Sequence, residues 1–214
     1  ILICAACTTA LAGPFTAGNL AVVRVGDGTV ALTSAATATF IDEITPGGTL
    51  VQSIALPPSG GSPLTLSGSA TSEGALTRSP NLAFLCLGGY RTNSGTLNDA
   101  ASPSATVWRE LGILDPLGIF SVPVTTSSQF SGSNIRGGVA DLVGGNFWGS
   151  GNGVPPATTG GVNYLGLASA PSLVLGGNLR WVNICNGELY CSSGSGAFPG
   201  SGIHKFTGNP VTAA

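Results

Sequence analysis

Methionine is absent from the chain, and histidine occurs once, at His204. Charged residues make up 7% of it, against about 25% in an ordinary soluble domain. These shortages exclude several functions. Seven basic residues scattered singly, with a net charge of −2, form no stripe able to displace counterions from phosphates, so no nucleic-acid partner is expected. The same scarcity removes any electrostatic attraction to an anionic membrane. One histidine and scattered cysteines give no zinc-ligand spacing, so neither a metal nor a cofactor is expected. GDG at Gly26 to Gly28 and GSGNG at Gly149 to Gly153 miss the G-x-G-x-x-G pattern and precede no helix, which removes a nucleotide-cradling loop. No N-x-S/T sequon occurs. After Ala12 no apolar run approaches the roughly twenty residues that cross a bilayer.

Glycine, serine, threonine and β-branched residues are abundant, and all of them cost helix free energy. Apolar residues reach 43% and fall in strand-length runs, which distinguishes the chain from a disordered one. The plainest stretch runs from Ile135 to Gly177: IRGGVAD, GGNFWGSGNG, GGVNYLGLA and PSLVLGG. Each piece has an apolar centre and closes on Gly, Asn, Asp or Pro, as four strands of an up-and-down antiparallel sheet require. A second copy spans Glu73 to Val124 (EGALTRS, NLAFLCLGGY, ATVWRELGILD, GIFSVPV). A third begins at Leu179 with LRWVNIC, ELYCSSG and GIHKF, and an incomplete first copy covers about Ala17 to Leu56.

Four-strand repeats of about 40 to 50 residues are the signature of a propeller blade. The expected fold is therefore all-β, a partial β-propeller of three to four four-stranded antiparallel blades. A β-sandwich is the alternative; it explains the strands but not the internal similarity. The third and fourth strands of each copy should form a hairpin whose turn opens on Pro. Gly47 is expected to take the positive φ of a type II turn, whereas Leu117-Gly118 suits type I. Pro57 to Gly61, Thr92 to Ser104 and Thr125 to Ser133 read as loops.

Residues 1–12, ILICAACTTALA, read as a signal-peptide remnant with an A-x-A end and no basic n-region. Residues 13–214 then form one secreted, extracellular propeller-like domain, truncated at its C-terminal end. Of the remaining cysteines, Cys185 and Cys191 flank Asn186-Gly187, the strongest short hairpin signal. A two-residue turn pairs Cys185 with Glu188 and sets Cys191 opposite Val182, with the two sulfurs on opposite faces. Cys86, Cys185 and Cys191 are accordingly expected to be free, buried apolar residues.

FTAGNLAVVRVGDGTVAL, ATATFIDEITPGGTLVQSIALP, GSATSEGALTRSPN, FSGSNIRGGVAD and LRWVNICNGELYCSSGSG together resemble a family of secreted, β-propeller-like repeat proteins with no assigned activity. The resemblance covers nearly all of the chain after the signal stretch. It implies secretion and a propeller and brings no catalytic residue with it. Chains of this look continue well past residue 214, and Gly194 to Ile203 is shortened here, which leaves the last blade incomplete.

His204 sits in a strand without the elbow and helix that a Ser-His-Asp triad uses, and reads as facing solvent. Glycosidases need two carboxylates on one cavity, but Asp42 and Glu43 are adjacent on a strand and point to opposite faces. Asp27, Asp115 and Asp141 lie where Asp bonds local backbone NH groups. The candidate binding residues are Glu73 and Arg136, each opening the first strand of a blade, where polar side chains converge on a propeller's channel, and Trp148, a ring for stacking on a sugar. A blade-bonding role for the first two, and a ring wedged between blades for the third, are the structural alternatives. The sequence thus points to a non-catalytic binding or surface module for carbohydrate or cell-wall material. An extracellular hydrolase or lyase completed by further blades is the alternative. Exposed sheet edges point to self-association.

Overall fold

Apolar residues at a period of two, interrupted by Gly, Pro, Asn and Asp, resolve into antiparallel strands joined by turns. The computed structural model describes residues 12–141, 145–166, 171–194, 197 and 199–207. The expected signal stretch lies outside these residues apart from Ala12. The first copy supplies β1 (Leu20–Val25), β2 (Ala36–Ile44) and β3 (Leu50–Ala55), followed by a short β4 (Thr65–Ser67). The second supplies β5 (Thr77–Arg78), β6 (Leu85–Arg91), β7 (Trp108–Leu114) and β8 (Phe120–Thr126). Ile135 to Gly177 supplies β9 (Ile135–Ala140), β10 (Phe147–Gly151), a single helical turn α1 (Pro156–Thr159), β11 (Gly161–Tyr164) and β12 (Ser172–Leu175). The last copy supplies β13 (Val182–Cys185), β14 (Glu188–Ser193) and β15 (Gly202–Lys205).

The chain is all-β, its sheets are antiparallel, and none closes into a barrel. Both full copies are up-and-down meanders, β5 to β8 and β9 to β12, and the last is a three-stranded one. Strand β4 has no counterpart in the sequence reading. It pairs with β2 through Thr37 and Leu66 and with β6 through Thr65 and Tyr90, so the first two copies form one eight-stranded sheet.

Three apolar layers lie in series. Ile41, Ile54 and Leu56 of the first copy meet Leu87 and Leu114 of the second in one apolar layer. Cys86, Tyr90 and Leu111 meet Ile135, Phe147 and Leu165, and Val139, Trp148 and Val162 meet Val182, Leu189 and Cys191. A two-sheet sandwich has one such layer. Each interior sheet here is buried on both faces.

Glycine permits the closest approach. A Cβ on Gly138 of β9 would stand 2.4 Å from Leu111, and one on Gly88 of β6 would stand 3.0 Å from Ile135. In the Pro-initiated hairpins, positive φ falls on Gly48 and Gly118 and not on Gly47. Both are three-residue loops in which a type I turn is followed by a left-handed residue that relieves the strand twist. The type II turn expected at Gly47 is therefore not formed. The Asn186-Gly187 hairpin has the expected register, with Cys185 opposite Glu188 and Val182 opposite Cys191. All three described cysteines are free, but Cys185 is exposed, because no described residue covers its face of the last sheet.

Candidate functional site

Polar side chains from successive copies meet where the first strands begin. The segment before β5 runs along β9, joined by a parallel bridge between Ala75 and Gly137. The half-buried Glu73 carboxylate accepts hydrogen bonds from the Tyr90 hydroxyl at 2.5 Å, Asn134 Nδ2 at 2.5 Å and the Ser67 amide at 2.9 Å. Burial raises its pKa, and these donors oppose the rise. Burial and the Glu73 charge also push the Tyr90 phenol well up, which keeps the proton on Tyr90 as donor.

A bulge in β9 aims Arg136. Ser150 pairs with Gly137 and Gly151 with Ile135, leaving Arg136 as the additional residue. Its Nε donates to Ser72 Oγ at 3.0 Å, and its Nη1 donates to Asn178 Oδ1 and, at 2.7 Å, to the Leu179 carbonyl. Arg136 therefore ties three copies together at their starting ends. Burial lowers its pKa to about 10, helped by the like charge of Arg180. No ion pair joins Glu73 to Arg136 among the described residues; they communicate through the segment Ser72–Glu73 and through Asn134, two residues before Arg136.

Arg109 of β7 anchors this seam from beneath. Fully buried, it donates to the carbonyls of Val107, Ala100, Ser102 and Ser133 and lies 5.1 Å from the Tyr90 ring centroid. Four carbonyls and an aromatic face replace much of the water that a buried guanidinium has lost, while its Nε has no hydrogen-bond partner among the described residues.

The structure brings Glu73 and Arg136 into one seam and leaves Trp148 out of it. Trp148 is 0% exposed, packed between the last two sheets with its ring centroid 5.5 Å from that of Tyr164. Val139, Tyr164 and residues of the last sheet close over the ring, so no face is offered to a sugar. Asp27, Asp115 and Asp141 accept hydrogen bonds from their own turns, as expected. His204 is half-buried in β15 and hydrogen-bonds the Gly200 carbonyl through Nε2. Asp42 and Glu43 point to opposite faces: Asp42 pairs with Arg24, and Glu43 accepts from Thr16, Asn19 and Gln52.

Asn134, Ser72 and Asn178 were not singled out in the sequence, and Tyr90 counted there only as one of six tryptophan and tyrosine rings, with Trp108, Trp148, Trp181, Tyr164 and Tyr190. Ser72 immediately precedes Glu73 in SATSEGAL and Asn134 lies two residues before Arg136 in SGSNIRGG, whereas nothing in the sequence joins Tyr90, across on β6, to Glu73. Compared with known proteins, the chain matches no family model, no curated protein and no solved structure.

Proposed function

We propose that the chain is a sector of a secreted β-propeller, acting as a non-catalytic binding or surface module whose ligand is carbohydrate or cell-wall polymer. The observation that carries this reading is the seam of half-buried Glu73, Asn134, Ser72 and Asn178, which gathers donors and acceptors from successive copies on one surface. Sugar hydroxyls are met by such mixed polar groups held on rigid elements. Repeated meanders stacked face to face, with first strands side by side at Ala75 and Gly137, support the propeller, as does the resemblance to secreted repeat proteins. Edge strands β3, β8, β12 and β15 offer the unpaired groups through which chains associate.

Titration with soluble polysaccharides tests the reading. A ligand bound without turnover raises the melting temperature and stays intact, and Asn134→Ala removes the rise. If no polysaccharide shifts the melting temperature, the module is structural. The elevated pKa of Glu73 favours one second reading, an extracellular hydrolase or lyase using Glu73 as its acid. Glu73→Gln then abolishes product release from any substrate found, and retained turnover overturns the assignment.

A further inference from the structure

A cleft of about 430 Å³ opens between the first two copies, away from the Glu73–Arg136 seam. Its walls are mixed, with Phe15, Leu76, Leu82, Phe84, Leu85 and Pro116 beside polar Asn19, Arg78 and Asp115. The N-terminal wall is fixed: the Phe15 amide donates to the Pro116 carbonyl at 2.9 Å, and Glu43 holds both the Thr16 amide and the Asn19 side chain.

Two features mark the cleft, one inside it and one on its rim. Thr77 turns toward β9 and donates to the Gly138 carbonyl, so strand alternation turns Arg78 the other way, into the cleft. There Arg78 is exposed and makes no side-chain hydrogen bond or ion pair with any described residue. Leu82, on the rim, has φ of +63° and is 57% exposed. Left-handed backbone costs a leucine about 1–2 kcal/mol, and packing does not repay it here, because most of the side chain faces solvent. The turn Ser79 to Leu82 imposes this conformation, with the Leu82 amide on the Ser79 carbonyl and Asn81 Oδ1 accepting from the Ser79 hydroxyl and the Ala83 amide.

From these two features together we infer that the cleft binds a monocarboxylate with a bulky apolar body, its carboxylate on the Arg78 guanidinium and its body against Phe84 and Leu82. A planar guanidinium presents a two-toothed fork to a carboxylate, and the volume lies within the range of small-ligand sites. Asp115 also lines the cleft, but its Oδ1 accepts the amides of Leu117 and Ile119, both at 2.9 Å, and its charge repels a second acidic group. With one unpaired cation and one fixed carboxylate among the described residues of its lining, the cleft favours a monoanion over a dianion.

The probe is 2-naphthoate, titrated into the whole chain by calorimetry. Saturable binding is expected with Kd below about 1 mM, weakened about tenfold or more both by Arg78→Gln and by replacing the probe with uncharged 2-naphthylmethanol. Naphthalene-2,6-dicarboxylate should bind no tighter than the monoacid. Arg78→Gln should melt at the parent temperature, since Arg78 holds nothing in place. Leu82→Ser should weaken the naphthyl contact without abolishing the preference for acid over alcohol. Absence of saturable binding, a loss smaller than tenfold in Arg78→Gln, or equal affinity for acid and alcohol each overturns the assignment.

Discussion

Glu110 is fully buried on β7, and neither carboxylate oxygen has a hydrogen-bond partner. Its nearest cation is Arg91, whose Nη1 stands 3.8 Å away, too far for a hydrogen bond. Burial pushes the pKa up to about 8, and Arg91 only partly offsets this, so the carboxyl is largely protonated in the neutral range. A folded-state pKa above the unfolded value gives stability that is complete below the unfolded value and lost as pH rises through the folded one. Between pH 5 and 9 the protein should therefore lose on the order of a few kcal/mol through this residue. Urea midpoints at pH 5, 7 and 9 should fall in the parent and fall less steeply in Glu110→Gln, where Glu73 and Asp99, also raised by burial, still contribute. Parallel curves for the two proteins would remove Glu110 as the cause. Glu43 acts in the opposite sense, because Gln52 and Asn19 hold its pKa down to about 2. Its contribution is present above the unfolded carboxylate range and lost as pH falls through about 2, so the two residues confine maximal stability to mildly acidic pH.

The glycine pairs of β6 and β9 explain how consecutive sheets come close enough to share a core. A methyl at Gly138 would press on Leu111, which is itself fully buried and packed among Tyr90, Val124 and Ile135. Gly138→Ala should destabilise the fold by about 1–3 kcal/mol as overpacking. Gly145→Ala, where an added Cβ meets no described residue, should be close to neutral, and equal urea midpoints for the two variants would contradict this account. The same strands show what the sequence made legible. Local signals, alternation with turn residues, found all four strands of the Ile135–Gly177 unit and the exact pairing across Asn186-Gly187, because hairpin register is set within a few residues. β4 escaped because three residues, Thr65 to Ser67, acquire strand geometry only between two distant partners, β2 and β6. Trp148 was offered as a binding ring because its neighbours are small; the cover over it comes from β13 and β14, which no local pattern reveals. Glu73 and Arg136 were found from their places at strand starts. Their partner Tyr90 lies 17 residues beyond Glu73, and a bulge that re-aims one side chain leaves no compositional trace.

Among the described residues, each interior face is closed by an apolar layer, and the two terminal sheets each keep one face open. Leu20 and Val22 of β1 with Leu50 and Val51 of β3 are exposed at one end, and Trp181 and Ile203 at the other. A net charge of −2 provides little repulsion between chains. The two end faces differ, so burying one against the other is a head-to-tail contact, which adds chains in an open series unless the rotation closes a ring. Sedimentation velocity over a range of micromolar concentrations should show a weight-average coefficient that rises with concentration. Ile203, 80% exposed, contributes little to its own sheet, so Ile203→Lys should leave melting unchanged while placing a charge in the contact. The concentration dependence should then weaken, because a desolvated lysine without a partner costs more than the isoleucine gained. A coefficient that stays flat with concentration in the parent, or the same rise in Ile203→Lys, would show that the last sheet's open face takes no part in association.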